Sequence, residues 1–431
     1  MKALWVGFFM LPQIAEALHE TATNKEGWVA GLIRAVLRDG EDAAQTERIE
    51  PTYCFAVPMH AERISGTAQG LSFESFREDT LRLELCDEIT ERDAEELLQR
   101  LRPDVVHIFG TEYAHGVAFV RACERVFGDA SRVLVGLQGL MGACAEAYTE
   151  GLPERVKRGA TFRDILKGDS VAGQQRKFFL RAENEKTLLR MVKHVTGRTV
   201  FDRREALRIN AELVYHSMNE TLRPAFYTGR WERAACEAHS VLVSQGNYPL
   251  KGLHYALRRL PELVGAYPDL RLYVAGDRIT AYGSLKEKLK LSGYGKYLRE
   301  LLAQGGMEER TVFLGRLSEE EMKERMLKSH VLLSPSVLEN SSNSVCEAML
   351  LGLPVVASAV GGLPDMLENG KEGLLYDPAR PAQMCESIGR IFADDALAKR
   401  LSDAAGKRAA VVHAPEAYKK RLLEIYGEMR G

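Results

Sequence analysis

No run of about 18 apolar residues interrupts this chain, so no segment reads as a transmembrane helix. A Cys-x-x-Cys pair is also missing. The seven cysteines (Cys54, Cys86, Cys123, Cys144, Cys236, Cys346 and Cys385) are odd in number and scattered. That distribution argues against a disulfide framework and a zinc site, and it fits a reducing cytosol. Charge of one sign is lacking as well: 58 Lys and Arg stand against 60 Asp and Glu, a formal net charge of −2. A polyanionic partner would therefore have to be met by a local patch. Neither a low-complexity tract nor an internal repeat is visible. Lys2, the apolar run to Leu11 and Ala15-Glu16-Ala17 imitate a signal peptide, but Leu4 to Met10 reads equally as a buried first strand, which is the expectation.

What is present is α/β alternation. At 431 residues and 45% hydrophobic, the chain is too long for one core and predicts two domains of about 200 residues each. Short apolar runs precede helix-length segments at Leu4–Phe9, Val105–Phe109, Val133–Gly136 and Val241–Ser244, then at Leu270–Asp277, Thr311–Gly315, Val331–Leu333 and Val355–Ala357. Such alternation predicts two doubly wound parallel sheets, whose ligands bind beyond the carboxyl ends of the strands. Pro224–Trp231 lacks a clear period, which places the boundary near 225–240. Pro415–Met429 reads as an amphipathic helix with proline at its tolerated first position and Tyr418, Leu422, Leu423, Ile425 and Tyr426 on its apolar face.

The densest signal is Pro335-Ser336, Glu339, seven intervening residues, Glu347-Ala348-Met349, Gly352-x-Pro354-Val355-Val356 and Gly361-Gly362. Ser342, Asn343 and Ser344 are N-cap types, and the helix they open would turn its positive end toward an anion such as phosphate. Ser344-x-x-Glu347 also reads as a capping box, in which the glutamate serves only its own helix.

This segment resembles the signature of the retaining glycosyltransferases of family 4, built on the GT-B fold. The resemblance implies two Rossmann-like domains facing each other across a cleft. It places an acceptor-binding domain at 1–228, joined by a C-terminal crossing helix at 415–431, and a nucleotide-sugar domain at 238–414. It implies that Glu347 holds the donor ribose, that Glu339 lies against the transferred sugar, and that the amides of Ser342, Asn343 and Ser344 meet sugar and diphosphate. The donor would be a UDP-, GDP- or ADP-sugar, with no cofactor and no metal.

The same resemblance places Lys251, in Ser244–Gly252, on the leaving diphosphate. The family's arginine at the start of that loop is absent, and Gln245 or Gly246 stands in its place. Arg198, beyond the apolar run Val192–Thr196, is the leading replacement; a structural ion pair with Asp202 or Glu205 is the alternative. Gly27 remains from the family's Gly-Gly pair near the phosphate. His107 ends a Pro103-Asp104-Val105-Val106-His107 stretch, either beside the sugar or as a hydrogen-bonded strand-end histidine. Gln138 occupies the place of a family histidine near the sugar; an amide can bond hydroxyls but cannot act as a base. Gly315, before an Arg316 expected to face solvent, matches a base-contacting turn.

Between Arg155 and Arg198, twelve basic residues outnumber four acidic ones, interleaved with Phe162, Ile165, Leu166, Phe178, Phe179 and Leu180. This is either a solvated helix face over a buried stripe or a contact with anionic membrane. No nucleic-acid module is visible. The expectation is a cytoplasmic hexosyltransferase, in the cytosol or peripheral at the inner membrane face. It would act with retention on a glycan or lipid-linked acceptor in surface polysaccharide or lipid-linked glycan synthesis. The alternatives are a GT-B sugar-nucleotide epimerase and a non-catalytic sugar-nucleotide-binding subunit.

Overall fold

The computed structural model describes residues 1–20, 27–37, 48–280 and 289–430. It divides into two compact units, Met1–Gly142 with Phe178–Arg223 and Val412–Gly431, and Ala143–Lys177 with Pro224–Val411. Residues 143–177 therefore sit with the second unit rather than within a continuous first domain of 1–228. Tertiary contacts hold them there: Arg155 pairs with Glu300 at 2.7 Å, Thr161 Oγ1 donates to the Leu291 carbonyl at 2.8 Å, and Asp164 accepts from the Gly293 amide at 2.8 Å. None of these pairings has a local signature in the sequence.

The first unit is built on β1 (Lys2–Val6), β2 (Glu50–Pro58), β3 (Ser65–Ala68), β4 (Leu71–Glu78), β5 (Val105–Phe109), β6 (Val133–Gly136), β7 (His194–Gly197) and β8 (Val214–Ser217). They form one sheet in the order β3-β4-β2-β1-β5-β6-β7-β8, parallel except for the β3–β4 hairpin. That hairpin turns on two residues with positive φ, Gln69 at 48° and Gly70 at 81°, as a primed two-residue turn requires. Successive side chains of β1 enter opposite cores. Ala3 and Trp5 pack with Leu32 and Ile33, whereas Leu4 and Val6 pack with Leu97 and Val117. Burial on both faces is why β1 and β5 read as unbroken apolar runs.

Pro12–Ala17 is a short helix whose first residue is the proline, pre-set for helical φ. The Asn24-Lys25-Glu26 stretch before Gly27 lies outside the described residues; Gly27 itself opens the helix Gly27–Leu37. The C-terminal helix Pro415–Glu428 belongs to this first unit and buries Tyr418, Leu422, Ile425 and Tyr426 in its core.

The second unit contains β9 (Ser240–Val243), β10 (Arg271–Ala275), β11 (Thr311–Gly315), β12 (Val331–Ser334), β13 (Val355–Ser358) and β14 (Leu374–Tyr376). Their order, β11-β10-β9-β12-β13-β14, is the doubly wound dinucleotide-fold order, with every pairing between the strands parallel. The order reverses between β9 and β12, so the chain leaves these neighbours in opposite directions and opens a crevice beyond their carboxyl ends.

Candidate functional site

Both halves of the second unit's polar cluster come from that crevice. The loop after β9 carries Gln245 and Gly246 and closes as a single 3-10 turn, Pro249–Lys251, ended by Gly252 at φ +67°. A Cβ at Gly252 would stand 1.8 Å from the Pro335 carbonyl oxygen, so only glycine lets this loop press against the one after β12. The Val337 amide donates to the Leu250 carbonyl at 2.8 Å and joins the two loops directly.

That junction brings Lys251 Nζ to 2.6 Å from Glu339 Oε1, with side chains 21% and 9% exposed. Ser336 Oγ donates to the same carboxylate oxygen at 2.8 Å. Burial alone would lower the lysine's pKa; the Glu339 carboxylate outweighs it and holds the pKa above the ordinary value. Lys251 is thus a fixed cation at neutral pH. Its ammonium lies 5.9 Å from the centre of the Tyr248 ring, whose phenol pKa is pushed up by burial. Glu339 is anchored through its backbone as well, its carbonyl accepting from the Gly362 amide at 2.9 Å.

The helix Asn343–Leu351 starts directly after this loop, with Ser342 as N-cap and no capping bond from the serine side chain. Asn343 and Ser344 are therefore its first two residues. Ser344 lies inside the helix and cannot cap it, which removes the capping-box role for Glu347. Glu347 is 2% exposed, one turn in from the helix start. Gly315 closes β11, its carbonyl accepting from Gly276 at 2.9 Å. The neighbouring Arg316 is exposed as expected, yet it grips Asp277 through two bonds of 2.6 and 2.9 Å.

Of the remaining sequence candidates in the first unit, His107 lies in the middle of β5 rather than at a strand end, whereas Gln138 and Arg198 follow β6 and β7. His107, Gln138, Arg198, Glu220, Trp28 and Tyr418 line one small cavity there. The side chain of Arg198 is 4% exposed and lies 3.3 Å from Glu220, while Gln138 donates to the same carboxylate. Arg198 thus makes an ion pair with Glu220, not with the Asp202 or Glu205 that sequence proximity suggested. Asp202 instead accepts from the Arg198 amide at 2.9 Å, and Glu205 pairs with Arg204 and Arg208.

His107 Nδ1 lies 2.9 Å from the Tyr426 hydroxyl, which also accepts from Trp5 Nε1 at 2.9 Å. The phenol's proton is then left for Nδ1, and a neutral ring carries its own proton on Nε2. Burial pulls the His107 pKa down to about 3, so the ring is neutral. Its Nε2 and the Tyr418 hydroxyl have no hydrogen-bond partner among the described residues. Glu220 and Tyr418 were not foreseen as site residues. Glu220 follows β8 with no motif around it, and Tyr418 reads as one more apolar-face position of the last helix.

No group of three His, Cys, Asp or Glu side chains that could hold a metal ion occurs among the described residues, and none of their helices is long and apolar enough to cross a membrane.

Comparison with known proteins agrees with this geometry. Residues 237–408 match the family described as Glycosyl transferases group 1. A D-inositol 3-phosphate glycosyltransferase of Corynebacterium urealyticum is 31% identical over 179 residues, covering 41% of this chain and 40% of the relative. The chain spans about two fifths of the length of curated relatives such as this one. Among solved structures, a sucrose-phosphate synthase of Thermosynechococcus elongatus superposes with a TM-score of 0.72 at 15% identity, covering 100% of this chain and 99% of that one. The Anabaena protein HepE, solved in complex with UDP-glucose, gives 0.65 at 15% identity, covering 99% and 100%. The two parallel-sheet Rossmann-like units are thus those of a GT-B fold, and residues 237–408, within the second of them, are similar to the glycosyl transferases group 1 family.

Proposed function

We propose that the chain transfers a hexosyl group from a nucleotide diphosphate sugar to an acceptor hydroxyl, with retention at the anomeric carbon. The observation that carries this is the Lys251–Glu339 pair at the switch point, set beside a helix start. A cation held above its ordinary pKa in a largely buried crevice is suited to the charge that develops on a departing diphosphate. Glu347 binds the donor ribose, and Glu339 both orients the sugar and keeps Lys251 charged. Ser342, Asn343 and Ser344 present the helix start to sugar and diphosphate. The base lies toward the turn at Gly315.

In the retaining reaction the anomeric C–O bond to the diphosphate breaks and the acceptor oxygen bonds to the same face. The departing phosphate oxygen takes the acceptor proton. Lys251 supplies charge stabilisation to that leaving group, so the proposal requires no metal. His107 Nε2 and the Tyr418 hydroxyl offer two polar contacts to the acceptor in the first unit, with Gln138 and Arg198 beside them. That HepE was solved with UDP-glucose, and that relatives carry glycosyltransferase names, supports a nucleotide-sugar donor.

The test is a thermal-shift panel of UDP-, GDP- and ADP-sugars, followed by product analysis with the stabilising donor in excess chelator. A ligand at about 100 times its dissociation constant adds about 2.7 kcal/mol, well within reach of the method. Release of nucleoside diphosphate without an epimer is expected. Glu347→Ala should weaken the shift, whereas Lys251→Ala should lower turnover about a hundredfold or more, from the roughly 2.7–4 kcal/mol such a donor supplies. Binding without turnover, or an epimerised sugar nucleotide as sole product, refutes the transferase.

A further inference from the structure

The short helix Phe162–Lys167 in the second unit presents an apolar face that nothing in the described structure covers. Phe162, Ile165 and Leu166 stand at i, i+3 and i+4, one side of a helix, and are 67%, 73% and 75% exposed. A solvated helix would bury such a stripe. Here the opposite holds: the residue buried from this helix is Asp164.

Asp164 fixes the helix in place. Its carboxylate accepts from the Thr161 amide at 3.0 Å and from the Gly293 amide at 2.8 Å, while Thr161 Oγ1 accepts from the Asp164 amide, completing a capping box. Arg163 ties the helix to Asp169 at 2.5 Å, and Gly168 ends it in the left-handed conformation. The three apolar side chains are thus held outward by a polar scaffold on the other side of the helix.

The charges flanking this face are mainly basic. From residue 154 to 177 seven basic residues, Arg155, Lys157, Arg158, Arg163, Lys167, Arg176 and Lys177, stand against three acidic ones, Glu154, Asp164 and Asp169. Glu154 pairs with Lys157 and Arg158, Glu300 with Arg155, and Asp169 with Arg163, so Lys167, Arg176 and Lys177 carry the basic excess. Arg158, Lys167 and Arg176 are exposed.

We infer that this face is a docking surface for an anionic lipid bilayer, with Phe162, Ile165 and Leu166 entering the interface and the flanking lysines and arginines meeting the headgroups. The apolar side chains supply depth, and the basic residues supply selectivity for negative surface charge. This inference does not depend on the donor or the chemistry assigned to the crevice.

Co-sedimentation of the full chain with phosphatidylcholine–phosphatidylserine vesicles (about two to one) tests it. Binding is expected to be at least about tenfold weaker on pure phosphatidylcholine and to fall as salt rises. The Phe162→Ser, Ile165→Ser, Leu166→Ser variant should lose about tenfold or more on the anionic vesicles with an unchanged melting temperature. An independent variant, Lys167→Glu with Arg176→Glu, should lose binding while the apolar face stays intact. Absence of binding by the full chain overturns the inference, as does equal binding by all three proteins. So does concentration-dependent self-association, abolished by the serine variant, without vesicle binding; that outcome assigns the face to a second copy of the chain.

Discussion

Replacing Lys251 by methionine keeps most of the side chain's volume but removes its charge, leaving the Glu339 carboxylate, 9% exposed, with the Ser336 hydroxyl as its remaining side-chain donor. Breaking one half of a buried ion pair costs about 3–5 kcal/mol, chiefly because the surviving charge is uncompensated. Lys251 is itself 21% exposed, so water reaches the pair and the lower end, about 3 kcal/mol, applies. Adding Glu339→Gln removes the stranded charge, and the amide oxygen can still accept from Ser336. The double variant should therefore recover about 2 kcal/mol of the loss, a coupling within the range seen for residues in contact.

Trp231, buried in the second unit, reports that unit's urea transition once Trp5 and Trp28, the other two tryptophans, are replaced by phenylalanine. If Lys251→Met is as stable as the parent, or the double variant is worse than either single change, the pair is not the coupled buried unit described above.

At Gly361, φ is +53° and an added Cβ would lie 1.9 Å from the Glu339 carbonyl oxygen. Gly361→Ala should cost about 1–3 kcal/mol and reduce donor-induced thermal stabilisation by displacing the Glu339 loop; an unchanged donor shift would contradict this. Acid should also act through buried histidines. Burial lowers the pKa of His107 and of His254 to about 3 and that of His330 to about 4, against an unfolded value near 6.5. The unfolded chain then binds more protons below that value, so stability is complete above about pH 6.5 and falls as pH drops toward the folded pKa values. Each fully neutral histidine contributes a slope of about 1.4 kcal/mol per pH unit, which urea unfolding between about pH 6.5 and 5 measures before most carboxylates protonate. A flat profile there would mean that these rings charge without opening the fold.

Local chemistry alone determined a good deal. Strands β5 and β6 are legible to the residue because parallel strands buried on both faces read as largely apolar runs, and β11 is legible from its apolar Val312, Phe313 and Leu314 although it is an edge strand with no fully buried residue. The last helix shows its apolar face by period, and the Glu339–Glu347 motif marks a strand–loop–helix turn suited to a phosphate. By contrast β2, bounded by Glu50 and Pro58, and β4, interrupted by Glu74 and Arg77, were not recognised, and β3 exists only as the partner of β4 across a two-residue turn.

Only the tertiary structure decided who meets whom. Lys251 and Glu339 are 88 residues apart, and what joins them is strand order: β9 and β12 are neighbours where the sheet reverses. Arg198 found Glu220, beyond the next strand, rather than a carboxylate within its own helix turn, because the loops after β7 and β8 end side by side. Residues 143–177 joined the second unit through bonds to Leu291, Gly293 and Glu300, a choice no local composition records. Periodicity and propensity act over a few residues and can be read along the chain. Ion pairs, carbonyl contacts and the outward hold on Phe162, Ile165 and Leu166 depend on distances that exist only after the sheets have formed.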